Sequence, residues 1–317
     1  MDRNFLIAIA VLFIVAGLII VLSEKHTREK DTNLRLRYLS AIVLACGCLV
    51  TVYTGGDIFA AFVFLSALIC VREFLTMVDV WSYKPYRLTA IISVALVVLA
   101  AAAEPPMIPP LAPGPALEIL HGLQGVHPFY AVIAPVIMIN LLTPIVLRSY
   151  QGMVWKELAT IFAVLYFGWF LAHSILIRNL EQGLELTTFL FLVVVANDIG
   201  AYVFGRLLGK HKLLSEISPR KTVEGFVGGI FCSLLTASAY NAAFPEFSPL
   251  QALLAGLVIS LAAPFGDLIV SVIKRDLNQK DSSKLIPGHG GLLDRSDSII
   301  LSAPNFYYLV ILLHSTG

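Results

Sequence analysis

The 317-residue chain is 58% hydrophobic and 14% charged, with a mean hydropathy of +0.84. A soluble globular domain has no means of hiding that much apolar surface, and apolar runs of about 18–20 residues recur along the chain. A net charge of +1 gives no bulk attraction for nucleic acid, and runs that are continuous rather than alternating exclude a transmembrane barrel.

The expected fold is therefore all-α: a polytopic integral membrane protein of about ten transmembrane helices. In chain order the predicted spans lie near 5–22, 38–54, 57–77, 87–103, 129–147, 154–177, 184–205, 222–243, 249–273 and 298–315. The first run, FLIAIAVLFIVAGLIIVL, comes just after Asp2-Arg3. It is long, no Ala-x-Ala site follows it and a charged segment comes next, which favours a retained helix over a cleaved signal peptide. Only the turn Thr54-Gly55-Gly56-Asp57 separates the second span from the third. The loop 104–128 is rich in Pro and Gly and holds no Lys or Arg, which predicts an irregular connection. It divides an N-terminal region of about four helices, 1–128, from a C-terminal region of about six, 129–317, that carries most of the intramembrane polar groups. The cysteines Cys46, Cys48, Cys70 and Cys232 all lie in apolar runs without a Cys-x-x-Cys pair, and read as small packing residues.

Alternate connections carry the basic residues. Lys25, Arg28, Lys30, Arg35 and Arg37 follow the first span. Arg72, Lys84 and Arg87 surround the next such loop, and Arg148 and Lys156 the one after. Arg206, Lys210, Lys212, Arg220 and Lys221 follow the seventh span, and Lys274, Arg275, Lys280, Lys284 and Arg295 the ninth. Of the 22 Lys and Arg, only Arg3 and Arg178 fall on the other side. The positive-inside rule then puts both termini on the non-cytoplasmic side.

Four stretches concentrate polar chemistry. In NDIGAYVFGRLLGK, 197–210, Asp198 sits behind the apolar run FLVVV, and an intramembrane carboxylate is a functional candidate by default. Asp198, Tyr202 and Arg206 share one helical face, which makes either an internal lock between helices or part of a polar site. The stretch from Gly205 to His211 lacks the spacing and the preceding strand of a P-loop. In SPRKTVEGFVGG, 218–229, Ser218-Pro219 predicts a helix cap and first helical residue. Arg220 and Lys221 beside free backbone N–H groups suit an anion at the membrane surface, or simply form a basic loop. Thr222 and Gly225 lead into the next span.

In APFGDLIVSVIKRD, 263–276, Asp267, Ser271, Lys274 and Arg275 form one polar stripe on an apolar helix. The last stretch, 274–297, reads KRDLNQKDSSKLIPGHGGLLDRSD. Gly288, Gly290 and Gly291 permit backbone conformations closed to other residues, and Asp294 and Asp297 flank Arg295. Asp267 and Asp294 bracket this segment and could both reach one hard ion such as Mg²⁺. His289 has no Cys or second His nearby, so zinc is a poor reading.

At these residues the sequence resembles the phosphatidate cytidylyltransferase family, the CDP-diacylglycerol synthases. The matching pattern is Ser271, Ile273, Lys274-Arg275, Lys280-Asp281, Ser283, Pro287, His289-Gly290-Gly291, Asp294-Arg295 and Asp297. Ser296 departs from it, standing where the family usually has an apolar residue or Thr. A second family motif is similar to NDIGAYVFGRLLGK followed by SPRKTVEG, with Arg220 for a common Lys and Val223 for a common aromatic. The resemblance covers about residues 185–310, and upstream only the hydropathy agrees.

The resemblance implies the reaction of CTP with phosphatidic acid to give CDP-diacylglycerol and pyrophosphate. It implies Mg²⁺ as cofactor, alone or with a second cation, held by Asp267 and Asp294, and a catalytic set of Asp267, Lys274, Asp294 and Arg295. Substrate contacts are implied for Asp198, Ser218, Arg220, Lys221, Thr222, Ser271, Arg275, Lys280, His289, Gly290, Gly291 and Asp297. The expected setting is a bacterial-type inner membrane with the site facing the cytoplasm. The bilayer is a partner, nucleic acid is not, and a homodimer is compatible with this reading. Two rivals are weighed against it. A CTP-dependent kinase of lipid alcohols would also have to activate a neutral hydroxyl. A transporter would explain Asp198 and Asp267 but not the glycine-and-charge segment.

Overall fold

The structure, a computed structural model, describes residues 46–104, 127–148, 151–286 and 290–315. Among the described residues, eight helices are long and apolar enough to cross a membrane. They are α1 (Gly56–Met77), α2 (Lys84–Ala102), α3 (Pro128–Val146), α4 (Met153–Asn179), α5 (Gly183–Leu208), α6 (Val223–Ala243), α7 (Pro249–Asp276) and α8 (Leu293–Ser315). Each answers to one of the last eight predicted spans. Residues 46–54, the described end of the second, are helical. The first span, the loop after Glu104 up to His127, His289 and both chain ends lie outside the described residues.

The helices form for local reasons. Pro249 occupies the first turn of α7, behind a reciprocal cap in which the Ser248 hydroxyl accepts from Gln251 N and the Gln251 side chain accepts from Ser248 N. Prolines inside spans are tolerated where the carbonyl they free finds another donor. Pro264 has no N–H to offer Ser260, four residues earlier, and the Asn197 side chain from α5 donates to that carbonyl at 3.2 Å. Asn197 is fully buried and also meets the Ser233 hydroxyl at 3.2 Å, so it ties α5 to both α6 and α7. Within α4, Val164–Trp169 is a π-helical segment. Beyond it, the buried His173 ring reaches the Tyr308 hydroxyl of α8 at 3.1 Å.

The chain is not wholly helical. Between α5 and α6 an antiparallel hairpin pairs β1 (Lys212–Leu214) with β2 (Ser218–Thr222), in the register Lys212 to Thr222 and Leu214 to Ser218. The chain remains mostly helical, as expected, but the hairpin corrects one expectation, Ser218-Pro219 as a helix start. A residue before proline is pushed out of the helical region, so Ser218-Pro219 extends the chain instead. The helix begins at Val223, with Thr222 as the cap whose hydroxyl accepts from Gly225 N at 3.2 Å.

Two close approaches set the packing around the hairpin. A methyl group on Gly225 of α6 would sit 2.7 Å from the Ala201 carbonyl of α5. One on Gly266 of α7 would run into the Asp297 carbonyl of α8. Small residues let these backbones meet without intervening side chains.

The connections α1–α2, α3–α4, α5–α6 and α7–α8 gather at one end of the bundle. Lys156 at the start of α4 lies over the Tyr83 ring before α2, at 3.9 Å, and Arg275 donates to the Ile217 carbonyl in the hairpin at 3.2 Å. Arg178 marks the opposite end, donating to the Val52 carbonyl at 2.9 Å. Among the described residues every other Lys and Arg belongs to the first end, as the alternation of charged loops predicts.

Candidate active site

The stripe on α7 faces the hairpin. Lys221, next to last in β2, reaches Asp267 with Nζ 2.8 Å from Oδ2, and its Nζ also lies 3.4 Å from the Pro264 carbonyl. Ser271, one turn along the helix, donates to Asp267 Oδ1 at 3.2 Å. The side chains of Lys221 and Asp267 keep 23% and 38% of their surface accessible, so the pair lines an opening rather than a core.

Two turns beyond Asp267, Lys274 bonds Asp294 in the first turn of α8, Nζ to Oδ1 at 2.6 Å. This second pair is enclosed, with 12% and 8% of the side chains accessible. The other oxygen of Asp294 accepts from the Ser282 N–H and hydroxyl, both at 2.9 Å, and from Gly291 N at 3.1 Å. Gly290 adopts φ +84°, a left-handed conformation that favours glycine, and its carbonyl accepts from Ile286 N at 2.8 Å. The glycine turn is thus folded back onto Asp294.

Deeper in the bundle, Asp198 of α5 lies within electrostatic reach of Asp267, Lys221 and Arg295. Its nearest partner is the Ser298 hydroxyl of α8, at 3.4 Å. Asp198 is exposed although it sits ten residues before the end of α5, about 15 Å along the helix axis. The charged groups of Asp267, Lys221 and Arg295 near it make its surroundings polar. Asp297 is buried, accepts from Ser298 N at 2.9 Å and faces both Asp198 and Asp267.

The remaining expected residues divide. Arg295 is exposed on the Asp198 side of α8. Thr222 is buried as the cap of α6, crowded by Gly205 and Gly209, and its hydroxyl already accepts from Gly225. Ser218 begins β2 and is half-buried, while Arg220 and Lys280 are exposed. Arg275 turns to the hairpin through Ile217, away from Lys274. Arg206 donates to the Tyr202 hydroxyl at 2.8 Å, one turn back along the same face of α5.

Sequence reasoning missed Glu73. It lies in α1, in the N-terminal region, and is buried. Its carboxylate accepts from the hydroxyls of Ser282 at 3.1 Å and Ser283 at 2.6 Å, and from the N–H groups of Leu292 at 3.1 Å and Leu293 at 2.9 Å. The rule that singled out Asp198, a carboxylate amid apolar residues, applies equally to the segment LICVREFLTM. Cys70, one turn earlier in α1, lies against Ser296, the position where the pattern departs from the family.

The donor set fits a hard divalent ion in kind: Asp198, Asp267 and Asp297 present carboxylate oxygens from three helices to one region, with Asp294 one turn away on α8. Among the described residues no three such side chains converge as a finished chelate. Lys221 and Lys274 instead neutralise Asp267 and Asp294. Carboxylates and cations interleaved in this way can hold phosphate oxygens and charge-balancing ions together.

Comparison with known proteins covers most of the chain. The profile of the Cytidylyltransferase family matches residues 35–313. The chain is 32% identical over 280 residues to a phosphatidate cytidylyltransferase of Staphylococcus aureus (strain COL), covering 88% of this chain and 99% of that one. It is 33% identical over 280 residues to the protein of that name in Staphylococcus epidermidis (strain ATCC 12228 / FDA PCI 1200). It is also 39% identical over 164 residues to the Uncharacterized protein YnbB of Escherichia coli (strain K12), a match spanning 52% of this chain and 54% of that one.

Proposed function

The chain belongs to the cytidylyltransferase family and is a membrane-embedded nucleotidyltransferase, and we propose that it transfers the cytidylyl group of CTP to phosphatidic acid. The products are CDP-diacylglycerol and pyrophosphate. The observation that carries this reading is the pair of lysine–carboxylate contacts, Lys221–Asp267 and Lys274–Asp294, at the basic end of the bundle beside Asp198, Asp297 and Arg295.

An oxygen of the lipid phosphate forms a bond to the α-phosphorus of CTP, and the bond from that phosphorus to the bridging oxygen of pyrophosphate breaks. The lipid phosphate is already anionic near neutral pH, so no strong base is needed. The obstacle is bringing one polyanion against another, and cationic side chains lower it by neutralising and aligning both. Lys221, Lys274 and Arg295 serve as these clamps, with Ser218 and Ser271 as hydroxyl donors to phosphate oxygens. Asp267 and Asp294 would hold Mg²⁺, with Asp198 and Asp297 near enough to accept a second cation. When bound, the metal supplies further charge neutralisation at the phosphates.

The site faces the cytoplasm of a bacterial-type inner membrane as a polar depression open sideways to lipid. Asp267 lies nine residues before the end of α7, about 14 Å along its axis. Phosphatidic acid is held in the bilayer by roughly 0.8 kcal/mol per buried CH₂, whereas CTP carries charge that hydrocarbon will not admit. The two substrates meet where water reaches below the headgroups.

The test is nucleotide and pyrophosphate release by purified protein, with CTP against other nucleotides and phosphatidic acid against a lipid alcohol. CTP- and phosphatidic-acid-dependent pyrophosphate is the expected result. CDP release with the alcohol would make the protein a lipid kinase, and no turnover with either would overturn the assignment.

A further inference from the structure

Glu73 occupies the amino end of α8. Helix starts leave N–H groups without intrahelical partners, and these attract anions. At the start of α8, Leu293 and the preceding Leu292 donate to Glu73, and Gly291 just before them donates to Asp294. The same carboxylate takes the Ser282 and Ser283 hydroxyls, so both of its oxygens are filled from the segment between α7 and α8. Ser282 in turn bonds the Asp294 oxygen that does not face Lys274. A methyl group on Gly291 would strike both the Ser282 hydroxyl and the Glu73 carboxylate, so the glycine is what lets the carboxylate in.

We infer that Glu73 is a positioning residue for the transfer reaction: from α1 it caps α8, ties down Ser282, Ser283, Leu292 and Leu293, and thereby presets Asp294. This rests on the proposed function for the identity of the reaction, though not for the geometry. It also means that the start of α8 is filled from within the protein, so substrate phosphates fall to Lys221, Lys274 and Arg295 rather than to helix N–H groups. An N-terminal span thus takes part in the site by holding it rather than by touching substrate.

The isosteric change Glu73→Gln is the sharpest probe. A carboxylate accepts on both oxygens, whereas an amide presents N–H groups on one side. A serine hydroxyl facing that side would rotate to accept, but the N–H of Leu292 or Leu293 could not, and one buried donor would lose its partner.

Full-length wild type, Glu73→Gln, Glu73→Asp and Glu73→Ala are compared in detergent by trypsin cleavage after Lys280 and Lys284, by thermal unfolding, and by kcat and KM for CTP. Glu73→Gln should speed cleavage at these two lysines about tenfold over the other cleavage sites, through local opening of the segment. It should also lower kcat about 100-fold, as misplacement of catalytic groups does, with Glu73→Asp restoring part of both. Cleavage unchanged in Glu73→Gln, or raised equally at all sites, would overturn the inference. An inactive wild type would overturn the proposed reaction instead and leave the cleavage comparison standing. Should Glu73→Ala fail to fold, the Gln and Asp variants decide.

Discussion

Lys221 at the end of the hairpin and Asp267 within α7 are joined at 2.8 Å, and both remain partly accessible. An accessible pair beside other carboxylates is exchangeable: a phosphate can take the lysine and a metal can take the carboxylate. Lys221→Met should therefore lower kcat/KM for CTP or phosphatidic acid by about 10²–10³-fold, the usual loss for one donor to developing charge. Lys221→Glu should do worse. Steady-state kinetics on purified protein checks this. Reduced protein yield with unchanged kcat/KM would leave Lys221 as a topology signal only.

Asp267→Ala and Asp294→Ala should each remove turnover, by at least about 10²-fold, while the folded protein stays in the membrane. Turnover at increasing Mg²⁺ and a size-exclusion profile form the assay. Near-normal rates for both variants at saturating Mg²⁺ would dismiss them as metal ligands. Loss of folded protein would instead point to ion pairs that only lock helices.

Chelation gives an independent check. Excess EDTA should abolish pyrophosphate release, and added Mg²⁺ should restore it. Activity that persists after exhaustive chelation would remove the metal from the scheme and leave the cations as the sole neutralising groups.

Gly266 faces the Asp297 carbonyl across the α7–α8 contact. Gly266→Ala forces two backbones apart, a displacement that overpacking studies put at about 1–3 kcal/mol. A lower unfolding temperature together with lower kcat is expected, because Asp297 and Asp267 separate with the helices. Unchanged values in both measurements would show that α8 moves aside freely.

Thr222→Val should cost about 1 kcal/mol of stability through the lost cap of α6, and Thr222→Ser should recover it. Reversible unfolding in mixed detergent, or steric trapping, measures the difference. If Thr222 binds substrate as well, Thr222→Ser will restore activity in step with stability, and a variant restored in stability alone would separate the two roles.

Much of this was legible in the sequence. Hydropathy found α6 and α7 to within a few residues, because lipid requires a continuous apolar run and charges end it. It started α8 late, at 298 rather than Leu293. Asp294, Arg295 and Asp297 look like loop, yet carboxylates are favoured in a first helical turn. The polar stripe of Asp267, Ser271 and Lys274 follows from helical spacing. Its partners do not: that Lys221 meets Asp267 and Lys274 meets Asp294 depends on how helices assemble, as does the debt Pro264 leaves for Asn197 to settle. Glu73 was visible as an intramembrane carboxylate, but nothing local connects it to Leu293. The hairpin escapes sequence reasoning because Ser-Pro reads as a helix start as well as an extended dipeptide.

The π-helical segment Val164–Trp169 carries a consequence for how the chain tolerates change in length. A π turn accommodates one residue more than an α turn by winding each residue through a smaller angle, so the net rotation across it is close to that of the α turn it replaces. Deleting a single residue there would leave a continuous α-helix, with an unbroken backbone ladder and no loss of hydrophobic length. Because the deleted residue is the one the π turn absorbs, His173 would still face the Tyr308 hydroxyl and the outer half of α4 would keep its register against its neighbours. Insertions and deletions are usually absorbed by loops. In this span the backbone itself is the place where a one-residue deletion is sterically mild and leaves both halves of the helix in register.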